Sequence, residues 1–227
     1  MCGRYLEIDD DDLYEILTEV GIDYAGLGNS ALCVNEQLSI ESIAVESDIQ
    51  LPTVFNGREI VPANTELIVI QGSAVMGKWG FPKWKGSGVI FNARSETALE
   101  KAMFKKPLLT QRCVIPSKGF FEWGTVNGEL SKASRSTKKK DKYLLRREAE
   151  QVLLMAGMAS IFRDPLGRDY LAYVILTTNA NESVAPIHDR MPVILDRDET
   201  QRWLGDNTFI ETVLSREGPL LQAQRVS

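Results

Sequence analysis

The sequence predicts a single strand-rich α+β domain, with a mostly antiparallel sheet and helices at its margins. The chain has 227 residues, enough for one large domain, and no convincing boundary divides it. Apolar residues make up 44% and charged residues 25%, which is ordinary globular usage. Most apolar runs have strand length, roughly four to eight residues. They follow one another too closely for crossover helices, which disfavours a doubly wound sheet.

The first predicted element is a helix over residues 9–20. Four consecutive aspartates open it, which suits the positive end of a helix dipole. Apolar residues from Leu13 to Val20 then recur at helical spacing. Residues 21–53 show weak periodicity, so we expect a long surface excursion there.

The rest of the chain is predicted as strands with two further helices. The strands are expected at 66–70, 74–81, 112–115, 119–123, 151–156, 170–176 and 191–195. A capped helix is expected over 95–104, with Ser95 as its N-cap, and a short helix over 198–204. Residues 124–142 are polar and rich in lysine, which predicts a long hairpin loop or a floppy insertion.

Composition excludes several classes of protein. The net charge of −5 argues against coating of duplex DNA by charge alone, although a local basic groove remains compatible with it. His188 is the only histidine and no CxxC pair exists, which excludes multi-histidine zinc sites and facial triads; we expect no metal and no cofactor. Three cysteines are too few for a disulfide framework, so a reducing cytoplasm is expected.

No membrane association is expected either. No apolar run approaches the roughly 18 residues that span a bilayer. The first residues lack a basic start followed by an apolar stretch, so they do not predict a signal peptide.

Cys2 is the first candidate for chemistry. Removal of Met1 would give one residue an α-amine and a thiol on adjacent carbons, with ordinary pKa values of about 8 and 8.5. An amine condenses with an aldehyde to a Schiff base. The thiolate can then add to the imine carbon and close a five-membered thiazolidine ring. The alternative is an incidental small residue near the start of the chain.

Three other segments carry polar groups in unusual settings. Asn92 and Arg94 lie on the same side of an extended segment. Glu122 lies inside an aromatic strand, where burial would raise its pKa and suit it to proton transfer; a structural, paired glutamate is the alternative. His188 is an acid–base candidate, although a lone histidine is more often structural.

Several segments resemble, in the same order, the motifs of the SRAP family, the SOS-response-associated peptidases or abasic-site processing proteins. The segments are MCGRY at the start, FNARSET at 91–97, RCVIPSKGFFEW at 112–123, AGM at 156–158, TTNA at 177–180 and HDRMP at 188–192. VPAN at 61–64 departs from a weaker family segment that usually reads APTQ. The similarity spans nearly the whole chain.

The resemblance implies one SRAP domain over 1–227, a partial barrel with insertions at about 21–55 and 124–142. It implies a DNA-repair protein that binds abasic sites in single-stranded DNA and crosslinks to the opened sugar through Cys2. Asn92 would hold the Cys2 end and the sugar, Glu122 would transfer protons and assist removal of Met1, and His188 would shuttle protons to the sugar hydroxyl. The implied activities are therefore those of a lyase and a peptidase.

The same resemblance implies a set of DNA contacts. Guanidinium matches phosphate geometry, so arginines are expected on phosphates, and aromatic rings are expected to stack on bases. The residues are Arg4 and Arg94 for phosphates, Trp79, Phe81 and Trp123 for stacking, Thr178 for a phosphate and Pro62 along the DNA path. Core packing is the alternative for the aromatics. The protein is expected to be monomeric and, in a bacterium, associated with the nucleoid.

Two other functions remain open at this point. Glutamine amidotransferase domains also begin MCG and use Cys2 as a thiol nucleophile, and release of ammonia from glutamine would favour them. A non-covalent single-strand binder would need the aromatic rings and arginines but not Cys2.

Overall fold

The computed structural model describes residues 3–22, 58–124, 140–147 and 152–226. Met1, Cys2 and most of the two predicted insertions lie outside the described residues. Over the described ranges, no helix has both the length and the apolar character that a membrane crossing requires.

Strands dominate the described residues, with five short helices beside them. The strands are β1 Tyr5–Leu6, β2 Glu59–Ile60, β3 Thr65–Ile70, β4 Ser73–Trp79, β5 Phe81–Pro82, β6 Val89–Ile90, β7 Asn92–Arg94, β8 Arg112–Ser117, β9 Gly119–Gly124, β10 Asp141–Arg146, β11 Leu153–Arg163, β12 Asp169–Asn179, β13 Arg190–Pro192, β14 Ile194–Leu195 and β15 Gln222–Arg225. The helices are α1 Asp10–Glu19, α2 Ser95–Ala98, α3 Ala102–Thr110, α4 Thr200–Gly205 and α5 Ile210–Ser215.

The strands form two main sheets. One has the order β15-β10-β9-β1-β2 and is antiparallel throughout. In the other, the path β12-β4-β3-β8-β11 returns to β12, because β11 also pairs with β12. The β12–β4 contact is parallel and covers only two residue pairs, so the barrel is partial. The predicted α+β class, with a mostly antiparallel partial barrel, is confirmed.

The barrel sheet is buried on both faces, which explains its nearly continuous apolar runs. Along β3, Ile68 and Ile70 pack toward the five-stranded sheet, in a cluster with Phe120 of β9. Val69, between them, packs in the other cluster with the helical residue Leu17 of α1. Alternation along each strand thus gives one apolar layer to the second sheet and another to the helices.

Close packing in the barrel depends on Gly157 of the AGM segment. A Cβ at this position would lie 2.6 Å from both the Ile115 side chain and the Val174 carbonyl oxygen. Only glycine lets β8 and β12 approach β11 this closely.

Two predicted elements need correction. The single helix expected over 95–104 is two helices, and Ser95 is the first residue of α2 rather than its N-cap. The second helix runs on to Thr110 through Pro107, because Phe104, Pro107 and Leu108 are all buried. Packing therefore outweighs the helix-breaking tendency of proline. The strand expected over 74–81 ends at Trp79, and Phe81–Pro82 pairs instead with β6.

The other predicted elements lie close to their expected positions. The aspartate-opened helix is α1, with Asp9 as its N-cap accepting a hydrogen bond from the Asp12 N–H. Gly124 lies opposite Asp141 in the antiparallel pair of β9 and β10, the two strands that precede and follow the lysine-rich segment in sequence. Residues 125–139 of that segment lie outside the described residues.

Candidate active site

The candidate site is built around β9, the central strand of the five-stranded sheet. Successive side chains of a strand point to opposite faces. Phe120 and Glu122 therefore face the barrel, and Phe120 belongs to the apolar layer there. Trp123 points to the other face, which we call the outer face of this sheet.

Glu122 meets His188 on the barrel side. The carboxylate is only 3% exposed, and its Oε2 lies 3.8 Å from Nε2 of His188. Burial raises the pKa of Glu122 to about 7, since an ionised carboxylate loses its hydration there. A carboxyl group with this pKa can donate or accept a proton near neutral pH. The direction of this pKa shift for Glu122 is the one that the sequence predicts for a buried carboxylate.

His188 is held in a defined orientation by its neighbours. Nδ1 accepts a hydrogen bond from the backbone N–H of Arg190 at 3.0 Å and also lies 2.9 Å from the carboxylate of Asp189. Burial lowers the pKa of His188, which favours the neutral ring. Nε2 is the ring nitrogen that faces Glu122.

The approach of His188 to β9 depends on Gly124. A Cβ at Gly124 would lie 2.9 Å from the Cα of Ile187, which precedes His188. The contact involves backbone, so a larger residue would displace the segment that carries the imidazole.

Arg190 ties the HDRMP segment to the FNARSET segment. Its guanidinium is buried and binds both carboxylate oxygens of Glu96, at 2.5 and 2.9 Å. It also donates to Asn179 Oδ1 at 2.7 Å and to the Thr177 carbonyl at 2.6 Å. Two segments that lie 94 residues apart in sequence are thereby held together. This bond gives Glu96 of the FNARSET segment a structural role.

The predicted site residues of the FNARSET and TTNA segments lie on neighbouring strands. Strand β7 runs parallel to β12, with Asn92 opposite Ile175. Ala93 is buried, so the half-buried Asn92 and the exposed Arg94 share the opposite side of β7. Thr178 is almost fully buried on β12, opposite Met191 of β13.

Arg4, Glu59, Lys142 and Trp123 form what we call the outer cluster. Arg4 Nη1 donates to Glu59 Oε2 at 2.7 Å, and Lys142 Nζ binds the other oxygen, Oε1. The Arg4 guanidinium lies 5.2 Å and the Lys142 ammonium 5.8 Å from the centroid of the Trp123 ring. Burial alone would raise the pKa of Glu59, but the two cations outweigh burial and lower it.

Three other predicted contact residues lie apart from these groups. Trp79 is fully buried, and its Nε1 donates to the Phe91 carbonyl at 2.9 Å. Phe81 is fully buried against Phe104 and Phe162. Neither ring offers a face to solvent, which favours the core-packing alternative for both. Pro62 lies half-buried in the turn that follows β2.

An aromatic residue that sequence reasoning missed is Trp84. It is 90% exposed, between Lys83 and Lys85 on the segment that joins β5 to β6. An exposed tryptophan between two lysines is a typical contact for single-stranded nucleic acid. The signal was present in the sequence, where a lysine precedes and follows this ring.

Cys2, the predicted nucleophile, lies outside the described residues, but its neighbours are described. Phe121 N–H donates to the Arg4 carbonyl at 2.9 Å, and Tyr5 pairs with Phe120. The antiparallel register therefore brings the start of β1 alongside the end of β9 that carries Glu122. Among the described residues, no group of three or more potential metal ligands is found.

Comparison with known proteins agrees with this architecture. The family model for SOS response associated peptidase (SRAP) matches residues 1–226. The chain is similar to the abasic site processing protein YoqW of Bacillus subtilis, with 31% identity over 68% of this chain and 71% of that protein. It is also similar to the abasic site processing protein HMCES of Xenopus tropicalis, with 36% identity over 50% of this chain and 37% of that protein.

A crystal structure of a Bordetella bronchiseptica protein shares the fold, with a TM-score of 0.70, 20% identity and full coverage of both chains. The match of the family model over nearly all residues agrees with the motif order from MCGRY to HDRMP. The chain belongs to the SOS response associated peptidase (SRAP) family.

Proposed function

We propose that this protein processes abasic sites in single-stranded DNA by linking its N-terminal cysteine covalently to the opened sugar. The observation that carries the proposal is the Glu122–His188 pair beside the start of β1. Relatives named abasic site processing proteins support the same substrate. The link would shield the damaged strand from cleavage.

The proposed chemistry begins with hydrolysis of the peptide bond between Met1 and Cys2. The freed amine then attacks the C1 aldehyde of the ring-opened sugar to give a carbinolamine, which loses water to form an imine. Next, the Cys2 thiol adds to the imine carbon. A C–S bond forms, the thiol proton ends on nitrogen, and a thiazolidine ring closes. The first step consumes one water and releases methionine. The adduct then has the combined mass of the processed protein and the DNA, minus the one water lost when the imine forms.

Glu122 and His188 supply the proton transfers in this scheme. With its pKa raised to about 7, Glu122 can hold and release a proton near neutral pH, so it can protonate the departing hydroxyl of the carbinolamine. His188, whose Nε2 faces Glu122, is proposed to exchange protons with the sugar hydroxyl. Asn92 is proposed to hold the Cys2 end and the sugar.

The DNA path is proposed to use exposed cations and one exposed ring. Arg94 is exposed on β7, and Trp84 with its flanking lysines forms a second contact. Stacking on an exposed ring is worth roughly 1–3 kcal/mol per base. These local contacts would let a chain of net charge −5 bind single strands, with the covalent bond supplying permanence.

Intact-protein mass spectrometry after mixing with an abasic oligonucleotide tests the proposal. We expect loss of Met1 and an adduct at the combined mass minus one water, with attachment mapped to Cys2. Cys2→Ala should give no adduct that survives denaturing electrophoresis. Cys113→Ala is the matched control, because burial raises the pKa of that thiol and keeps it un-ionised; it should crosslink normally.

Two results would contradict the proposal. A denaturation-resistant adduct with Cys2→Ala would show that another group is the nucleophile. Release of ammonia from glutamine without any DNA adduct would favour an amidohydrolase.

A further inference from the structure

We infer that Glu59 is a positioning residue: by holding Arg4 across the Trp123 ring, it anchors the start of the chain beside Glu122. In this arrangement Arg4 fixes the N-terminal nucleophile instead of binding a DNA phosphate. The inference rests on the proposed function and concerns the outer cluster, which that function does not otherwise use.

The first argument is the engagement of the Arg4 guanidinium. It is bonded to Glu59 at 2.7 Å and stacked over Trp123 at 5.2 Å. A phosphate that approaches this Nη1 would compete with a carboxylate that accepts the same kind of hydrogen bond. Lys142 binds the other oxygen of this carboxylate, so Glu59 joins side chains from the strands on either side of β9.

The second argument is the face on which the cluster lies. Lys142 is directly opposite Trp123 in the β10–β9 pair, so the two side chains share a face. Glu122, the neighbour of Trp123 along β9, points to the other face. The cluster therefore contacts β9 on its outer face, while Glu122 and His188 lie on the barrel side.

The third argument is chain connectivity. Consecutive Cα atoms are about 3.8 Å apart, so Cys2 can lie no farther than two such steps from Arg4. Fixing Arg4 limits the volume that the Cys2 amine and thiol can explore. Displacing a nucleophile by about 1 Å from its productive position can lower the reaction rate by about a hundredfold.

The test separates reaction rate from DNA binding. Crosslinking is followed at saturating abasic oligonucleotide, and affinity is measured with a tetrahydrofuran oligonucleotide, which lacks the aldehyde. Glu59→Ala and Arg4→Ala should each slow crosslinking by about tenfold to a hundredfold and leave the affinity within about twofold. The double variant should be no slower than Arg4→Ala alone, because both changes remove one anchor.

Conservative variants sharpen the test. Glu59→Asp should recover part of the rate, whereas Arg4→Lys should recover little, because lysine lacks the planar group that spans Glu59 and Trp123. Glu211→Ala, on the exposed surface of α5, is the matched control and should leave rate and affinity unchanged.

A phosphate-binding role for Arg4 gives the opposite pattern and would overturn the inference. Glu59→Ala would then release Arg4 and tighten binding, Arg4→Ala would weaken it and reduce its salt dependence, and the saturated rate would not change. Hydrogen exchange adds a readout that needs no reaction. The Phe121 amide, bonded to the Arg4 carbonyl, should exchange faster in Glu59→Ala; unchanged protection would also overturn the inference. If the wild-type protein forms no crosslink, the proposed function fails, and the anchor is judged by this exchange alone.

Discussion

The two faces of the five-stranded sheet hold glutamates in opposite electrostatic states. On the barrel side, Glu122 is almost fully buried, and burial raises its pKa to about 7. On the outer face, Glu59 is partly exposed between Arg4 and Lys142, and these cations outweigh burial and lower its pKa. One residue type thus supplies a group that exchanges protons and a group that stays charged.

The difference shows what each face can do. A fixed negative charge between two cations holds side chains in place but cannot donate a proton at neutral pH. A buried carboxyl group does the reverse, because its charged form is the costly one. This contrast is the reason why we propose proton transfer on the barrel side of β9 and positioning on its outer face.

The largest expected effect comes from Glu122→Gln. The amide preserves the shape but cannot exchange a proton, so the crosslinking rate should fall by about 10²- to 10⁴-fold. Removal of Met1 during in-vitro processing of the purified chain should be at least partly lost. Affinity for tetrahydrofuran DNA should be retained. Rates measured from pH 5 to 9 should show a transition near pH 7 in the wild-type protein but not in Glu122→Gln.

The matching change on the other face is Glu59→Gln, which should keep the transition near pH 7. If the transition survives in Glu122→Gln, it belongs to another group, and the assignment of proton transfer to Glu122 is wrong.

The next largest effect concerns the segment that closes the barrel side, and it is an effect on stability. Arg190→Ala should lower the free energy of unfolding by about 1–3 kcal/mol, because the buried carbonyl of Thr177 and the partly exposed Glu96 lose their hydrogen-bond donor. Arg163→Ala removes an exposed bidentate pair with Asp169 and should cost no more than about 1 kcal/mol. Urea denaturation measures both.

Equal effects of the two arginine variants would show that the Arg190–Glu96 contact does not hold the HDRMP segment. Other contacts would then have to hold His188 opposite Glu122.

The barrel side could be predicted from sequence because its signals are local. An acidic residue between aromatic neighbours in a strand predicts burial, and Glu122 is buried with a raised pKa. The motif order also predicted the family and the fold class, both of which are confirmed.

Contacts between distant segments could not be predicted. Glu59 lies in a two-residue strand with no pattern of its own, and its partners are Arg4, just before β1, and Lys142 of β10. The bond between Arg190 and Glu96 likewise crosses 94 residues. Period-two alternation also leaves open which side of a strand is buried, so it could not show that the Trp79 ring lies in the core.

The smallest expected effect is on stability as a function of pH, and its sign differs between the two faces. For Glu122, the folded pKa of about 7 exceeds the ordinary value of 4.5, so the unfolded state ionises first and stability falls as pH rises from about 4.5 to 7. Glu122→Gln removes this loss, so its stability relative to wild type should increase across that interval.

Glu59 behaves in the opposite way. Its folded pKa lies below 4.5, so its contribution to stability is present above pH 4.5 and disappears as pH falls through the lowered pKa. Glu59→Gln should therefore be less stable than wild type at pH 7, and this difference should shrink in acid. Urea titrations of both variants at pH 4, 5.5, 7 and 8 give the two slopes. Slopes of the same sign would mean that burial does not separate the two glutamates, and the division of roles between the faces of β9 would fail with it.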